Sequence, residues 1–368
     1  MKKNLYIVID KLCGKSDGGL IASYINLYEL LKNDYNIQII SIFKHNCNDC
    51  FENVKKISII DKKIEINFPK LLKNKQFFKA IKNAFIYFSS IYKSRKKINR
   101  IIKEDDLIIV SSPSAAIFMP KIKFILEIHT NYKYFFEGFG LGRIQSLLMQ
   151  RPTTTVFRTK YDSMHAPKYL NPTYIYNFFD NSNISLNNYI IKNKIIFMGR
   201  LEKEKNPLRL IEIAKILKKL NNNFVLDVYG TGSLENEIKK KIVEYKLEKN
   251  VFLKGFTTNK NIYKNYSLLW LTSIYEGFGL VIIEAKANGI PTISTNWGNG
   301  IYEIIDDKND GYIIDDNIEF ANLTNKILTN EKLQFRLNKN AHNNFNKFSK
   351  TIAKKRWLTL LNEYKFQK

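Results

Sequence analysis

Apolar residues fall along this chain in short runs, separated by stretches in which they recur every three or four positions. In the first half, runs at 4–9, 36–43, 54–60, 105–112, 122–130, 153–160 and 171–179 predict strands, and 20–32 predicts a helix. The second half is more regular. Strands are predicted at 194–201, 224–230, 251–255, 268–273 and 291–296, with helices at 206–220, 233–247, 259–266 and 279–288 between them. Pro207 stands where the first turn of a helix tolerates proline. The last forty or so residues read as helices. Short apolar strands alternating with helices belong to the α/β class, a mostly parallel sheet covered on both faces.

A polar, asparagine-rich stretch at 180–188 predicts a linker, so the expected domains are 1–185 and 186–350, followed by a helix at 351–368. The length of 368 residues and an apolar fraction of 45% suit two packed cores. Two doubly wound domains in tandem imply a cleft, with ligand beyond the carboxyl ends of the strands. The apolar run at the N-terminus is too short for a signal peptide or a membrane span.

Charge adds an anionic partner to the picture. Lys and Arg number 59 against 34 Asp and Glu, a formal +25, which suits phosphorylated small molecules, lipid headgroups or nucleic acid without choosing among them. Cys13, Cys47 and Cys50 are too few for a disulfide scaffold and fit a reduced cytoplasmic setting. Cys47 and Cys50 form one CxxC with no second pair, and His45, His129, His165 and His342 are scattered, so no metal site is implied.

The strand ends of the second half carry the candidate chemistry. Gly199 and Arg200 follow one strand, with Lys205 just before the helix that Pro207 opens. Gly230 and Gly232 follow the next, Phe256 ends "KGF", and Glu276 and Gly277 follow the strand at 268–273, with Gly279 at the start of a helix. A helix start offers free N–H groups and partial positive charge for phosphate. Arg200 can grip phosphate oxygens with its planar fork while Lys205 supplies a point charge, so a diphosphate uses both. Both could equally be solvent-facing members of a basic chain.

Glu276 and Glu284 would be separated along a ligand, Glu284 lying roughly 7 to 8 Å into the helix. A nucleoside diphosphate sugar has hydroxyls at both ends and phosphate between. Glu284 could instead be an exposed helical glutamate, and Phe256 could pack in the core rather than wall a pocket.

In the first half, Gly18 and Gly19 lie between the first strand and helix, another place for close approach to phosphate or sugar. "GKS" at 14–16 is not a P-loop, because the leading glycine would have to stand where Ile9 does. His129 ends a strand and is the histidine best placed to contact a transferred group, although a structural donor is the commoner role. Residues 66–103 hold eleven Lys or Arg and no Asp or Glu, with Phe77, Phe78, Ile81, Phe85, Phe88 and Ile91 at near-helical spacing. This amphipathic segment could lie on an anionic membrane, face the core, or bind nucleic acid.

"GRLEKEKNP", "YGTGSLENEI", "VFLKGF", the block "EGFGLVIIEAKANGIPTISTN" and "EIIDDKNDGYIID", with Gly18, Gly19 and His129, resemble the retaining glycosyltransferases of family 4. The resemblance implies the GT-B architecture, two facing Rossmann-like domains with a deep cleft, the first for acceptor and the second for nucleotide sugar. It implies that Arg200 and Lys205 hold the diphosphate, Glu276 the donor sugar and Glu284 the ribose. The backbone of Phe278, Gly279 and Leu280 would approach phosphate and sugar, with His129 beside the transferred sugar. It further implies a C-terminal helix crossing back to the first domain, a UDP-linked donor, no metal or tightly bound cofactor, and a peripheral place on the inner face of the cell membrane, building cell-surface glycans on lipid-linked or polymer acceptors. Two departures stand out: "WGNGIYE" replaces the usual Gly-Gly and Pro-Glu pattern, and "FRTKYDS" lacks the plain serine pattern of the late first domain.

The expected activity is therefore transfer of a hexose or N-acetylhexosamine with retention, with His129, Arg200, Lys205 and Glu276 at the reaction centre and Gly199 and Gly230 bordering the nucleotide. The alternatives are an epimerase or hydrolase of the same architecture and, from another class, a basic nucleic-acid-binding protein, which would bind RNA or DNA in a salt-dependent manner. Nucleic acid is the less favoured partner, since no recognition motif accompanies the charge.

Overall fold

The computed structural model describes residues 2–11, 19–44, 54–60, 77–129, 149–182, 184 and 193–366. They form two compact units, Met1–Ile175 with Arg356–Lys368, and Tyr176–Lys355. The asparagine-rich stretch lies just past the first boundary and mostly outside the described residues.

The first unit holds β1 (Asn4–Lys11), β2 (Asn36–Phe43), β3 (Lys55–Ile60), β4 (Leu107–Val110), β5 (Ile125–Ile128), β6 (Thr154–Phe157) and β7 (Pro172–Tyr174). They pair in parallel in the order β3-β2-β1-β4-β5-β6-β7. The order reverses between β1 and β4, where Asp10 accepts hydrogen bonds from Ser112 (2.7 Å) and Ser114 (2.6 Å). Ser112 also accepts from the Ala115 N–H and so caps a short helix. That capping ends the strand read at 105–112 after Val110.

Among the described residues, α1 (Gly19–Leu31), α2 (Phe77–Ile101), α3 (Pro113–Ile117) and α4 (Lys160–His165) accompany this sheet. In α2, Ile91 and Ile98, two turns apart on one face, enter the core with Tyr6, Val8 and Ile108. Phe78, Phe85, Phe88 and Tyr92 are 55% to 87% exposed, so the described aromatic stripe of this helix is not its core-facing side.

The second unit pairs β8 (Lys194–Met198), β9 (Val225–Tyr229), β10 (Val251–Gly255), β11 (Leu268–Leu271), β12 (Thr292–Ser294) and β13 (Gly311–Ile313) in parallel, in the order β10-β9-β8-β11-β12-β13. Side chains alternate across its two faces. Ile195, Phe197, Leu268 and Trp270 enter one core, with α5 (Pro207–Leu220), α6 (Glu235–Glu244) and α9 (Asn317–Thr329). Ile196, Met198, Leu269 and Leu271 enter the other, with α7 (Leu280–Ala287), α8 (Ile301–Ile304) and Phe345 of α10 (Glu331–Phe345).

Continuous apolar runs such as IIFM and LLWL are what a sheet buried on both faces requires. The helix read at 259–266 is a 3-10 helix, Lys260–Asn265, opened by Asn259. The last helix, α11 (Lys350–Phe366), buries Trp357 and Leu361, and the Arg356 guanidinium lies 4.7 Å from the centre of the Tyr174 ring.

Candidate functional site

In the second unit the strand order reverses between β8 and β11, the place where open α/β sheets bind ligand. The chain leaving β8 runs through Gly199 and Arg200 into a 3-10 turn, Lys203–Lys205, and Asn206 adopts a left-handed φ of 48° before Pro207 starts α5. Three contacts pin this loop. The Leu201 N–H donates to the Thr231 carbonyl at 2.9 Å, and the Ile274 N–H to the Glu204 carbonyl at 2.9 Å. The buried Thr272 hydroxyl reaches the Lys205 and Asn206 carbonyls at 3.1 and 3.0 Å.

Lys205 and Glu276 consequently meet. The Lys205 ammonium donates to Glu276 Oε1, and the Ser273 hydroxyl donates to the same oxygen at 2.7 Å. Their side chains are 17% and 8% exposed. Arg200 is placed differently, 57% exposed and paired at 2.5 Å with Glu204. Of the two cations read as a phosphate grip, Lys205 is thus inside the strand-end cluster, and Arg200 faces solvent.

Gly279, at φ 79°, precedes α7. A Cβ there would sit 3.0 Å from the Ile282 side chain and 3.5 Å from the Trp297 ring, in a backbone conformation that side chains disfavour. Gly277 and Leu280 are half-buried, while the Phe278 side chain is buried against Tyr176 and Phe348. Only the backbone of residue 278 is therefore available at the helix start. Trp297, the first residue of the unusual "WGNGIYE" loop, packs against that same helix start.

Glu284 lies one turn into α7 and is 7% exposed, so it is not an exposed helical glutamate. The fully buried Tyr263 hydroxyl donates to Glu284 Oε2 at 2.8 Å. Burial, with the adjoining carboxylate, pushes the Tyr263 pKa up, which keeps the phenol protonated as the donor. Tyr263 was missed in the sequence because a tyrosine in a short polar helix carries no distinguishing pattern. Ser273 was missed because a lone serine at a strand end has none either.

Gly230 and Gly232 serve the backbone directly. A Cβ on Gly230, at φ 143°, would fall 1.8 Å from the Gly199 carbonyl oxygen, and one on Gly232 would fall 2.4 Å from that of Leu201. The loops after β8 and β9 therefore interlock at van der Waals distance. The Gly230 N–H bonds the Gly255 carbonyl at 2.9 Å, and Phe256 beyond it is 58% exposed, which excludes the core-packing alternative for that ring.

In the first unit Gly18 lies outside the described residues, and Gly19 is the first residue of α1. His129, one residue past β5, sits in an ionic cluster with its side chain 9% exposed. Arg158 pairs with Glu127, and its Nε lies 3.3 Å from His129 Nδ1. The Tyr24 ring meets the imidazole edge-on at 5.4 Å. Burial and then the Arg158 charge hold the His129 pKa below its ordinary value, against the opposing pull of Glu127, so the ring is neutral at pH 7. Burial alone would raise the Glu127 pKa; Arg158, with help from His129, brings it to about 2. Glu127 and Arg158 lay in apolar strands of the sequence, where only their charge within such a run hinted at a buried pair.

Among the described residues no group of three or more His, Cys, Asp or Glu could hold a metal ion, and no helix is long and apolar enough to cross a membrane.

Residues 180–344 match the family model described as Glycosyl transferases group 1. Over 158 residues, 42% of this chain, the sequence is 35% identical to the poly(ribitol-phosphate) alpha-N-acetylglucosaminyltransferase of Staphylococcus aureus, covering 32% of that protein. The matched stretches span less than half the length of the first curated relatives. By structure, a TarM variant of S. aureus in complex with Fondaparinux, alpha-GlcNAc-glycerol and UDP is similar at TM-score 0.77 and 17% identity, over 98% of this chain and 100% of that one. Anabaena HepE in complex with UDP and glucose is similar at TM-score 0.76 and 16% identity, over 98% and 99%. The fold is GT-B, two Rossmann-like units, and the chain is related to glycosyltransferases.

Proposed function

We propose that this protein is a retaining glycosyltransferase of family 4, moving a hexose or N-acetylhexosamine from a UDP-sugar to a glycan, lipid-linked or polymer acceptor of the cell surface. The observation that carries this is the meeting of Lys205, Ser273 and Glu276 at the ends of β8 and β11, beside the start of α7 and with Glu284 buried one turn further in. A basic group and a helix start suit the diphosphate; the two carboxylates suit hydroxyls on either side of it. The similarity to structures holding UDP, and to relatives whose names describe alpha-linked products, supports the same assignment.

In the reaction the bond from the anomeric carbon to the diphosphate breaks, and a bond to the acceptor hydroxyl oxygen forms on the same face. The acceptor proton passes to a phosphate oxygen, and UDP leaves. Lys205 and the α7 N–H groups stabilise the charge that develops on the leaving phosphate. Arg200 joins them by exchanging Glu204 for phosphate, a small sacrifice because an exposed ion pair contributes about 0 to 1 kcal/mol. Glu276 accepts from the donor sugar and Glu284 from the ribose, while Gly199, Gly230 and Phe256 border the nucleotide. His129 takes part as a neutral ring, able to donate or accept a hydrogen bond.

The test is to incubate the protein with UDP-sugars and acceptor preparations, follow UDP release, and determine the anomeric configuration of the product by NMR. An alpha-linked product from an alpha-linked donor is expected. An inverted linkage would overturn retention, and turnover of donor at the same rate without acceptor would favour a hydrolase.

We further propose a cytoplasmic protein lying on the inner membrane face through α2. This is supported by exposed Phe78, Phe85, Phe88 and Tyr92 beside exposed Lys82, Lys93, Lys96 and Lys97, an apolar stripe flanked by cations that matches an anionic lipid surface.

A further inference from the structure

We infer that Ser273 is a positioning residue that holds the Glu276 carboxylate in the orientation that meets the sugar of the donor. This rests on the donor-site assignment above and adds a residue to it. Ser273 stands two residues past the end of β11 and is 1% exposed, so water does not compete for its hydroxyl. That hydroxyl donates to Glu276 Oε1 at 2.7 Å, and Lys205 donates to the same oxygen. Both protein donors thus converge on one side of the carboxylate, and Oε2 is the oxygen presented to ligand.

The terminal torsion of a glutamate is broad, so a carboxylate holds one orientation only where donors fix it. Lys205 is the less durable of the two. A bound diphosphate draws the ammonium toward phosphate, and Ser273 is then the donor that keeps Oε1 occupied. Its own backbone is held in turn, because the buried Thr295 hydroxyl donates to the Ser273 carbonyl at 2.7 Å. Thr272, the preceding residue, meanwhile binds the carbonyls of Lys205 and Asn206. Adjacent residues after one strand therefore fix the backbone of the cation and the side chain of the acid.

The experiment uses the full chain and measures UDP release from UDP-glucose, UDP-galactose, UDP-N-acetylglucosamine and UDP-N-acetylgalactosamine in the presence of the acceptor preparations used above, taking forward the donor turned over fastest. Ser273→Ala is expected to lower kcat about tenfold, the loss of one hydrogen bond to a charged group, with donor KM within about twofold. Ser273→Cys, which keeps the volume without the strong donor, should behave alike and guards against a folding defect in the alanine variant. In a Glu276→Gln background Ser273→Ala should cost nothing further. An undiminished cost in that background, or full activity of both Ser273 variants, would overturn the positioning role. Full activity of Glu276→Gln, or a wild type inert on all four donors, would overturn the donor-site assignment itself.

Discussion

Glu284 and Tyr263 illustrate how a single buried carboxylate is made tolerable. An ionised group at 7% exposure needs donors, and the phenol of Tyr263 supplies one. Removing that donor by Tyr263→Phe should lower stability by about 1 to 3 kcal/mol, measured by urea unfolding, because a buried carboxylate oxygen then loses one donor. Glu284→Ala is expected to weaken UDP binding at least about tenfold by calorimetry; unchanged affinity would remove Glu284 from the ribose. Gly230 sets a different kind of limit. Gly230→Ala would bring a methyl group to 1.8 Å from the Gly199 carbonyl at a φ of 143°, so the loop must move. The expected outcome is a loss of about 2 to 4 kcal/mol in unfolding, with donor turnover falling alongside it.

At the scale of elements, the strand ends bring together groups far apart in the chain. Arg158, at the end of β6, ties Glu127 of β5 to His129 just beyond it, and a pH dependence follows. Glu127 has a folded pKa of about 2 against an ordinary 4.5, so its contribution to stability is complete above about pH 4.5 and is lost as pH falls through about 2. The difference corresponds to on the order of 3 kcal/mol. Thermal unfolding between pH 7 and pH 3 should show this decline, and Glu127→Gln should flatten it. The same variant should be less stable at pH 7 by about 3 to 5 kcal/mol, since Arg158 is left buried and unpaired.

Most elements were legible because apolar runs and helical spacing are local signals. The runs at 36–43, 194–201 and 251–255 became β2, β8 and β10 within a few residues. The site was legible only where a residue type was unusual for its place, as with Glu276, Glu284 and Gly279. Ser273, Tyr263, Arg158 and Thr272 were not, because their roles exist only once the strands are aligned side by side. Strand β13, three residues long, was too short for alternation to register.

At the scale of the whole molecule, a formal +25 is compatible with several partners, and the lipid contact proposed for the exposed face of α2 can be tested directly. Sedimentation with vesicles containing phosphatidylglycerol should carry the protein down at low salt and far less with neutral phosphatidylcholine. Phe85→Ser with Phe88→Ser should reduce that binding at least about threefold without lowering the melting temperature, because these rings are outside the core. Binding to RNA that outcompetes the vesicles and that UDP leaves intact would favour the nucleic-acid alternative. The second unit has a consequence of its own, arising from the way β8 and β11 send alternate side chains into two separate cores. Neither layer of helices can loosen without disturbing the strands that end at Met198 and Leu271. Nucleotide seated at those ends should therefore slow amide exchange in α5 and α7 together, although the two helices lie on opposite faces of the sheet.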